Sequence, residues 1–385
     1  MKLGLDIGNS KVKGAYLTDD NRVQAMINIP SAITHVQSEE YVTFSHAGDQ
    51  YIQVLESALN HYDDILAFGQ KAIDLPNYQE FDVESSSYKT NHPMTTSLLF
   101  GSLVGQLGDE TEVSVKLAVS IPIVESKTIG LRNTYAELLE GTHVIRLFRE
   151  GETRDITVTV TRAVVTNEGQ AGFFGLMDTV DKAFRRDIAS VYQSLGEEED
   201  PLPTLENFLV CDIGEGTTDI SVFRNKKFNP DYSFSITQGI GNLLEGAIAD
   251  AQRKRLTIES RKDLQRVIES TNKRGQKRRD QWMAFVEPKE EAFIQTVIDT
   301  ITKAYGNRDY FDAIIFFGGG FSALTGYDVD MGTVVMRNTR LFDELNKRLS
   351  ELNKTVDLLF GVPQGATNYS QTINQRGLMQ VLTGL

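Results

Sequence analysis

Two stretches of this chain share one layout, and that repetition limits the fold more than any other feature. "KLGLDIGNSKVKGAYL" at residues 2–17 and "LVCDIGEGTTDISVF" at 209–223 each set an apolar strand, an aspartate, a glycine-bearing polar turn and a second apolar strand in order. Asp6 and Asp212 close the first strand of each copy, offset by slightly over half of the 385-residue chain. A supersecondary unit repeated at that spacing predicts two related lobes. The length independently suits two domains better than one core. Strands alternating with long helices predict an α/β fold in which helices cover sheets.

The turns carry the chemistry. Small residues let backbone N–H groups approach an anion closely. If the two turns face each other across a cleft, Gly8, Gly214 and Gly216 bring backbone to a phosphate chain, and Ser10, Thr217 and Thr218 add hydroxyl donors. Asp6 and Asp212 are anionic and suit instead a hydrated Mg²⁺ held through its waters, because that ion dehydrates reluctantly. Lys11 is placed to neutralise a β- or γ-phosphate. One such hairpin is an ordinary tight turn, whereas two at half-chain spacing argue for a ligand clamp.

Composition narrows the partners. With 40% hydrophobic and 24% charged residues the chain reads as folded and soluble. A net charge of −14 argues against a direct, sequence-independent grip on nucleic acid, since that requires Lys and Arg to neutralise phosphates. A lone cysteine, Cys211, and an N-terminus without a basic or apolar signal region predict a reducing, cytoplasmic setting. Cys211 reads as an inert buried thiol. No apolar run is long enough for a transmembrane helix, so no membrane partner is expected.

Along the chain, "YVTFSHA", "VSVKLAVSIPI" and "DITVTVTRAVV" read as strands and "YIQVLESALNHY" as helical, with residues 30–95 an inserted subdomain ending in polar "ESSSYKTNHPMTT". "QAGFFGLMDTVDKAFRRDIASVYQSL" spaces its apolar residues as one helix, which "GEEEDPLPTLEN" breaks. After the second hairpin, glycines including Gly241 precede an amphipathic helix and then a basic region, Arg253 to Arg279. That region reads either as a solvated face or as a contact for an acidic neighbouring subunit or adaptor. "FDAIIFFGGGFSAL" predicts a buried strand, a glycine turn and a helix, and the chain closes with a loop and a final helix.

Gly318, Gly320 and Ala323 satisfy the dinucleotide pattern G-x-G-x-x-[GA]. The acidic residue that pattern needs, Asp343, falls within the helical "RLFDELNKRL", so a glycine turn against which an adenosine lies is the better use. The P-loop pattern is absent. Glu168 and Gln170, at a helix start between the two halves, can orient or deprotonate a water attacking a terminal phosphate. The plainer alternative is that Glu168 favours the helix N-terminus electrostatically.

In order, DIGNS (6–10), NEGQAG (167–172), DIGEGTTD (212–219), FFGGGFSAL (316–324) and QGATNYSQ (364–371) resemble the phosphate 1, connect 1, phosphate 2, adenosine and connect 2 motifs of the actin superfamily ATPases. The chain looks most like the ParM-type bacterial actins that segregate plasmids, which "GIGNLLEGAIADA" and "ESRKDLQRVIE" also resemble. The resemblance implies an actin-like, ribonuclease H-like, duplicated two-lobed α/β fold with nucleotide in the central cleft. Domain I would take residues 1–166 and 366–385, with the 30–95 insertion; domain II would take 167–365, with a helical, basic insertion at about 245–290.

Carried across, Asp6 and Asp212 serve Mg²⁺, while Gly8, Asn9, Ser10, Lys11, Gly214, Gly216, Thr217 and Thr218 serve the phosphates. Gly241, Lys262, Gly318, Gly319, Gly320 and Phe321 serve the nucleoside, and Glu168, Gln170 and Asp212 the hydrolysis of ATP or GTP. The implied function is a filament that segregates plasmid DNA through a DNA-binding adaptor on the plasmid centromere, with slow hydrolysis weakening the lattice. Glu215 departs from the glycine of many relatives, and a carboxylate beside phosphates lowers affinity unless it points outward or toward the metal. The alternatives within the superfamily are a sugar-type kinase, for which no substrate-binding constellation is evident, and a cell-shape actin of the MreB type, for which no membrane-binding segment is.

Overall fold

The structure is a computed structural model that describes residues 1–385 apart from 82–87, 178–201, 270–272, 306–309, 331–332, 336–337, 361–372 and the single positions 19, 47, 259, 327, 353, 355 and 385. The chain divides into two units, Met1–Arg185 with Thr372–Leu385, and Arg186–Gln371.

The first unit contains β1 (Lys2–Ile7), β2 (Lys11–Leu17), β3 (Val23–Pro30), β4 (Ala32–Val36), β5 (Tyr51–Glu56), β6 (Ile65–Phe68), α1 (Gln70–Ile73), β7 (Gln79–Glu80) and α2 (Pro93–Val104). It continues through β8 (Glu112–Ile121), α3 (Ile123–Ser126), α4 (Leu131–Leu139), β9 (Gly141–Arg149), β10 (Glu152–Asn167) and α5 (Glu168–Leu176). The second unit contains β11 (Phe208–Ile213), β12 (Thr218–Arg224), β13 (Lys227–Ile236), α6 (Ile240–Arg253), α7 (Arg261–Glu269), α8 (Lys273–Tyr305), β14 (Ala313–Phe317), α9 (Gly319–Thr325), the small hairpin β15 (Asp328–Asp330) and β16 (Thr333–Val335), α10 (Arg340–Glu351) and β17 (Asp357–Phe360). α11 (Ile373–Thr383) returns to the first unit.

Duplication is written into the sheets. The second unit's sheet runs β13-β12-β11-β14-β17, with the first two pairings antiparallel and the last two parallel. The first unit holds the same five-strand arrangement as β3-β2-β1-β8-β10, with the same directions. It then extends that sheet through β9, β5, β6, β4 and β7. β1 and β11 sit third in their arrangements and are buried along their whole length, as strands covered on both faces must be.

In the first unit the two faces of the sheet are closed by different helices. Leu98, Leu99, Phe100 and Leu103 of α2 join Leu3, Leu5, Leu117 and Val119 in one core. On the other face Ala15, Leu17 and Ala118 meet Ala171 of α5 and Leu378, Met379 and Leu382 of α11. Burying each of those large side chains contributes about 1.5–3 kcal/mol. In the second unit Phe208 stacks on Phe223 at 4.7 Å, and Trp282 is buried. Cys211 is fully buried and its thiol is pushed up by burial first and by Asp212 and Asp219 next, so it is the inert thiol expected.

Several expectations need correction or limit. "YIQVLESALNHY" begins as strand β5, not helix: its Tyr51 and Ile52 pair with β6 and its Tyr51–Glu56 stretch with β9, and cross-strand packing overrides the helical spacing of its leucines. "YVTFSHA" forms no strand among its described residues; a 3-10 turn ends at Tyr41, and the Tyr51 hydroxyl fixes the following loop by donating to Thr43 O at 2.6 Å. Within the 30–95 insertion, β4, β5, β6 and β7 continue the first unit's main sheet. α5 belongs to the first unit, where it packs on α11, so the boundary lies beyond residue 166. The helix expected through residue 195 is described only to Leu176, and QGATNYSQ lies outside the described residues.

Candidate functional site

Each unit carries the same hairpin. Ile7 pairs with Val12 and Ile213 with Thr218, so each turn encloses the same number of residues. Each is closed by the same backbone bond, Gly8 N–H to Lys11 O at 3.0 Å and Gly214 N–H to Thr217 O at 2.9 Å. In the first unit Ser31 braces the turn, donating from its hydroxyl to Gly8 O at 2.6 Å and from its N–H to Ser10 O at 3.0 Å. The N–H groups of Asn9, Ser10, Glu215 and Gly216 make no hydrogen bond to protein among the described residues. Adjacent donors left open in a turn are the makings of an anion cradle.

The carboxylates end the strands. Asp6 is buried and accepts from the Ser120 hydroxyl at 3.0 Å, while Asp212 lies in register with Asp219 across its hairpin. The hydroxyls divide: Thr217 is half-buried at the turn, but Thr218 is fully buried and donates to Gln238 O at 2.9 Å. Thr218 is thus a fastener between β12 and the start of α6, not a phosphate donor. Replacing it with valine is expected to cost about 1 kcal/mol of stability and leave any nucleotide affinity intact; a melting curve with a ligand titration checks both.

Three glycine segments of the second unit meet at this turn. The N–H groups of Ile240 and Gly241 donate to the carbonyls of Gly214 (3.1 Å) and Glu215 (2.8 Å), so the N–H of Gly241, a residue expected at the nucleotide, is used within the protein. Gly239 lies so near Glu215 that a Cβ there would strike its carbonyl. Gly318 has φ of 105° and lies against the Ile213 carbonyl and the Asp212 carboxylate, which only glycine tolerates. Gly319 and Gly320 then open α9. Phe321, expected with the glycines at the nucleoside, has its side chain fully buried on Phe316 and Phe342, because a benzyl group gains more in that aromatic cluster than at a polar turn. Lys262 lies on α7, with its side chain outside the described residues. Glu215 does not stand alone, since Arg261 Nη1 is 3.7 Å from its carboxylate and 3.2 Å from that of Glu245.

Glu168 stands at the first turn of α5, whose N-cap is Asn167: the Asn167 side chain accepts from Gln170 N–H at 2.8 Å and donates to Gln170 Oε1 at 2.6 Å. The Gln170 N–H and Oε1 are therefore engaged at the cap. Glu168 is instead bonded by a lysine absent from the sequence expectations, Lys89, whose Nζ donates to Glu168 Oε1 at 2.9 Å. Burial pushes the Glu168 carboxyl up, Lys89 opposes this, and Asp6 and Glu125 add to it. Burial pulls Lys89 down, but Glu168, Asp6 and Glu125 more than offset that and leave its ammonium above the ordinary lysine value. Lys89, Glu125 and Ser120 carried no signal in the sequence, because none lies in a motif with fixed spacing.

Among the described residues no three metal-ligating side chains cluster; the first hairpin offers the buried carboxylate of Asp6, and the second those of Asp212 and, across from it, Asp219. That donor set fits an ion that keeps most of its waters, as Mg²⁺ does. Among the same residues no helix is long and apolar enough to cross a membrane.

Comparison with known proteins places the chain. Residues 4–170 match the family model "Actin like proteins N terminal domain", and residues 210–326 match "Archaeal actin homologue MreB-like, C-terminal". The chain belongs to the actin superfamily. Its two-unit α/β architecture is shared with the actin-like protein Alp7A (TM-score 0.65, 13% identity, 99% of this chain and 95% of that one). It is likewise shared with Bacillus thuringiensis ParM solved with AMPPNP (0.58, 17%, 100% and 99%) and with a non-polymerisable quadruple mutant of pCBH ParM (0.62, 16%, 100% and 99%). At these identities the likeness is one of fold. No curated protein matches the sequence.

Proposed function

We propose that the chain binds a nucleoside triphosphate with Mg²⁺, hydrolyses it slowly, and assembles into filaments that segregate plasmid DNA through an adaptor protein in the cytoplasm. The observation that carries the reading is the repeated hairpin: the same turn, the same closing bond and a buried aspartate at the same position in both units. Each turn takes phosphate oxygens on its open N–H groups, with Lys11 and the Ser10 hydroxyl adding donors, while the Thr217 hydroxyl donates to Asp219 Oδ2 at 3.2 Å. Asp6 and Asp212 are the residues that would hold a hydrated Mg²⁺, which when bound would supply neutralisation of charge on the phosphates. Glu168 orients a water whose oxygen bonds to the γ-phosphorus as the bridging P–O bond breaks, its electron pair leaving with the diphosphate and the proton passing to the carboxylate. The filament part rests on the resemblance to ParM-type actins, one of which is known as a mutant that does not polymerise. Head-to-tail contacts between identical subunits do not close and so give filaments.

Sedimentation and light scattering of the wild-type protein with ATP, GTP and AMPPNP, in Mg²⁺ or in EDTA, test this. Polymer is expected with triphosphate and Mg²⁺, persisting longer with AMPPNP. Nucleotide binding without polymer at any concentration would overturn the filament and favour a small-molecule kinase; no nucleotide binding would overturn the whole reading.

A further inference from the structure

Glu168 is the residue on which the proposed hydrolysis turns, and the structure shows what holds it. Lys89 lies in a short 3-10 turn (Lys89–Asn91) ahead of α2, and its side chain is 4% exposed. The turn is itself pinned. Lys89 N–H donates to Glu125 Oε1 at 2.8 Å and Thr90 N–H to Glu125 Oε2 at 3.1 Å, and Glu125 is 1% exposed. The ammonium therefore projects from a backbone fixed by one buried carboxylate onto the Oε1 of a second. Glu168 Oε2 makes no hydrogen bond to protein among the described residues.

A carboxylate has two oxygens and several lone-pair sites, so a lysine that occupies one oxygen fixes where the other points. Burial makes the pair costly if either partner is removed. Surface ion pairs vary freely in geometry, but this one cannot, because Glu125 fixes the lysine's backbone and the Asn167 cap fixes the start of α5. Asp6 lies close enough to act electrostatically on both Lys89 and Glu168, which brings the pair into the neighbourhood of the first phosphate turn.

We propose that Lys89 is a positioning residue for hydrolysis: held by Glu125, it binds Oε1 of Glu168 and so presents Oε2 to the attacking water. This inference rests on the hydrolytic reading given above. Single-turnover ATP hydrolysis and equilibrium binding of AMPPNP separate the two, measured for wild type, Lys89→Met, Lys89→Arg, Glu168→Gln and the Lys89→Met/Glu168→Gln double variant, with melting curves for each.

Lys89→Met is expected to slow hydrolysis about 30-fold or more with AMPPNP affinity within about threefold of wild type, a loss confined to the reacting state. Lys89→Arg, whose longer planar fork displaces the carboxylate, is expected to slow it about fivefold. In the Glu168→Gln background, Lys89→Met should add nothing to the loss, because it acts only through Glu168. Wild-type rates in either folded single variant, or losses that multiply in the double variant, would overturn the role. If Lys89→Met does not fold, Lys89→Arg decides by the same criterion. A wild-type protein without turnover would sink the hydrolytic reading and this inference with it.

Discussion

Replacing Glu168 with glutamine is expected to slow nucleotide hydrolysis about a thousandfold, in the range that a positioned general base supplies. Glutamine keeps the shape, and its amide oxygen still accepts from Lys89 Nζ, so the 2.9 Å contact and the start of α5 survive. What goes is the negative oxygen that attracts a water's proton. Nucleotide affinity should change little, since the substitution removes a group used in the transition state and not in the ground state. Polymer made with ATP should then resemble polymer made with AMPPNP: assembled, and slow to fall apart. Phosphate release and pelleting over time measure the two effects together. A variant that hydrolyses at the wild-type rate would remove Glu168 from the mechanism, whatever the fate of the filament.

Gly318→Val is the substitution expected to damage the second unit most. At φ of 105° a β-branched residue is strained, and its Cβ would be driven into the Ile213 carbonyl and the Asp212 carboxylate. The clash cannot be relieved by a rotamer change, because it is the Cβ itself that collides. β11 and β14 are hydrogen-bonded neighbours through Asp212 and Phe317, so the turn after β14 has no room to retreat. A cost of about 3 kcal/mol or more is expected, of the order that steric strain at a special backbone position carries. For a unit of this size that corresponds to a fall in Tm of about 6–12 °C. Nucleotide binding should fall with it, as Asp212 is pushed from the strand end. A Tm within about 2 °C of wild type would show that the glycine segment does not pack so tightly.

Much of this was legible in the sequence, for a physical reason. The hairpins are local: strand, aspartate, turn and strand are contiguous, so spacing alone fixes which residue ends the strand and which ones bend. The buried strand of "FDAIIFF" follows from an apolar run flanked by glycine, whereas its pairing with β11 is seen only in the structure. Lys89 was invisible because it sits in a polar segment with no periodicity, and its partners Glu125 and Glu168 lie 36 and 79 residues away. Phe321 misled because a residue inside a glycine motif is read with the motif, whereas its ring answers to Phe316 and Phe342. β5 misled because a strand's alternation and a helix's spacing overlap over a few residues, and only its neighbours β6 and β9 decide. Glu215 is a middle case: the sequence flagged its charge, and the structure supplies Arg261.

The first unit takes its last helix from the far end of the chain. Leu378 of α11 lies over Gly4 of β1, and Lys2 Nζ donates to Leu382 O at 3.0 Å across a sequence separation of 380 residues. During synthesis, β1, β2 and β8 leave the ribosome long before α11 exists to cover them, whereas the second unit's elements between β11 and β17 are contiguous. Contacts so remote in sequence close slowly, and an uncovered apolar sheet face invites association in the interval. The unit whose strands are made first is thus the one completed later, when α11 docks on it.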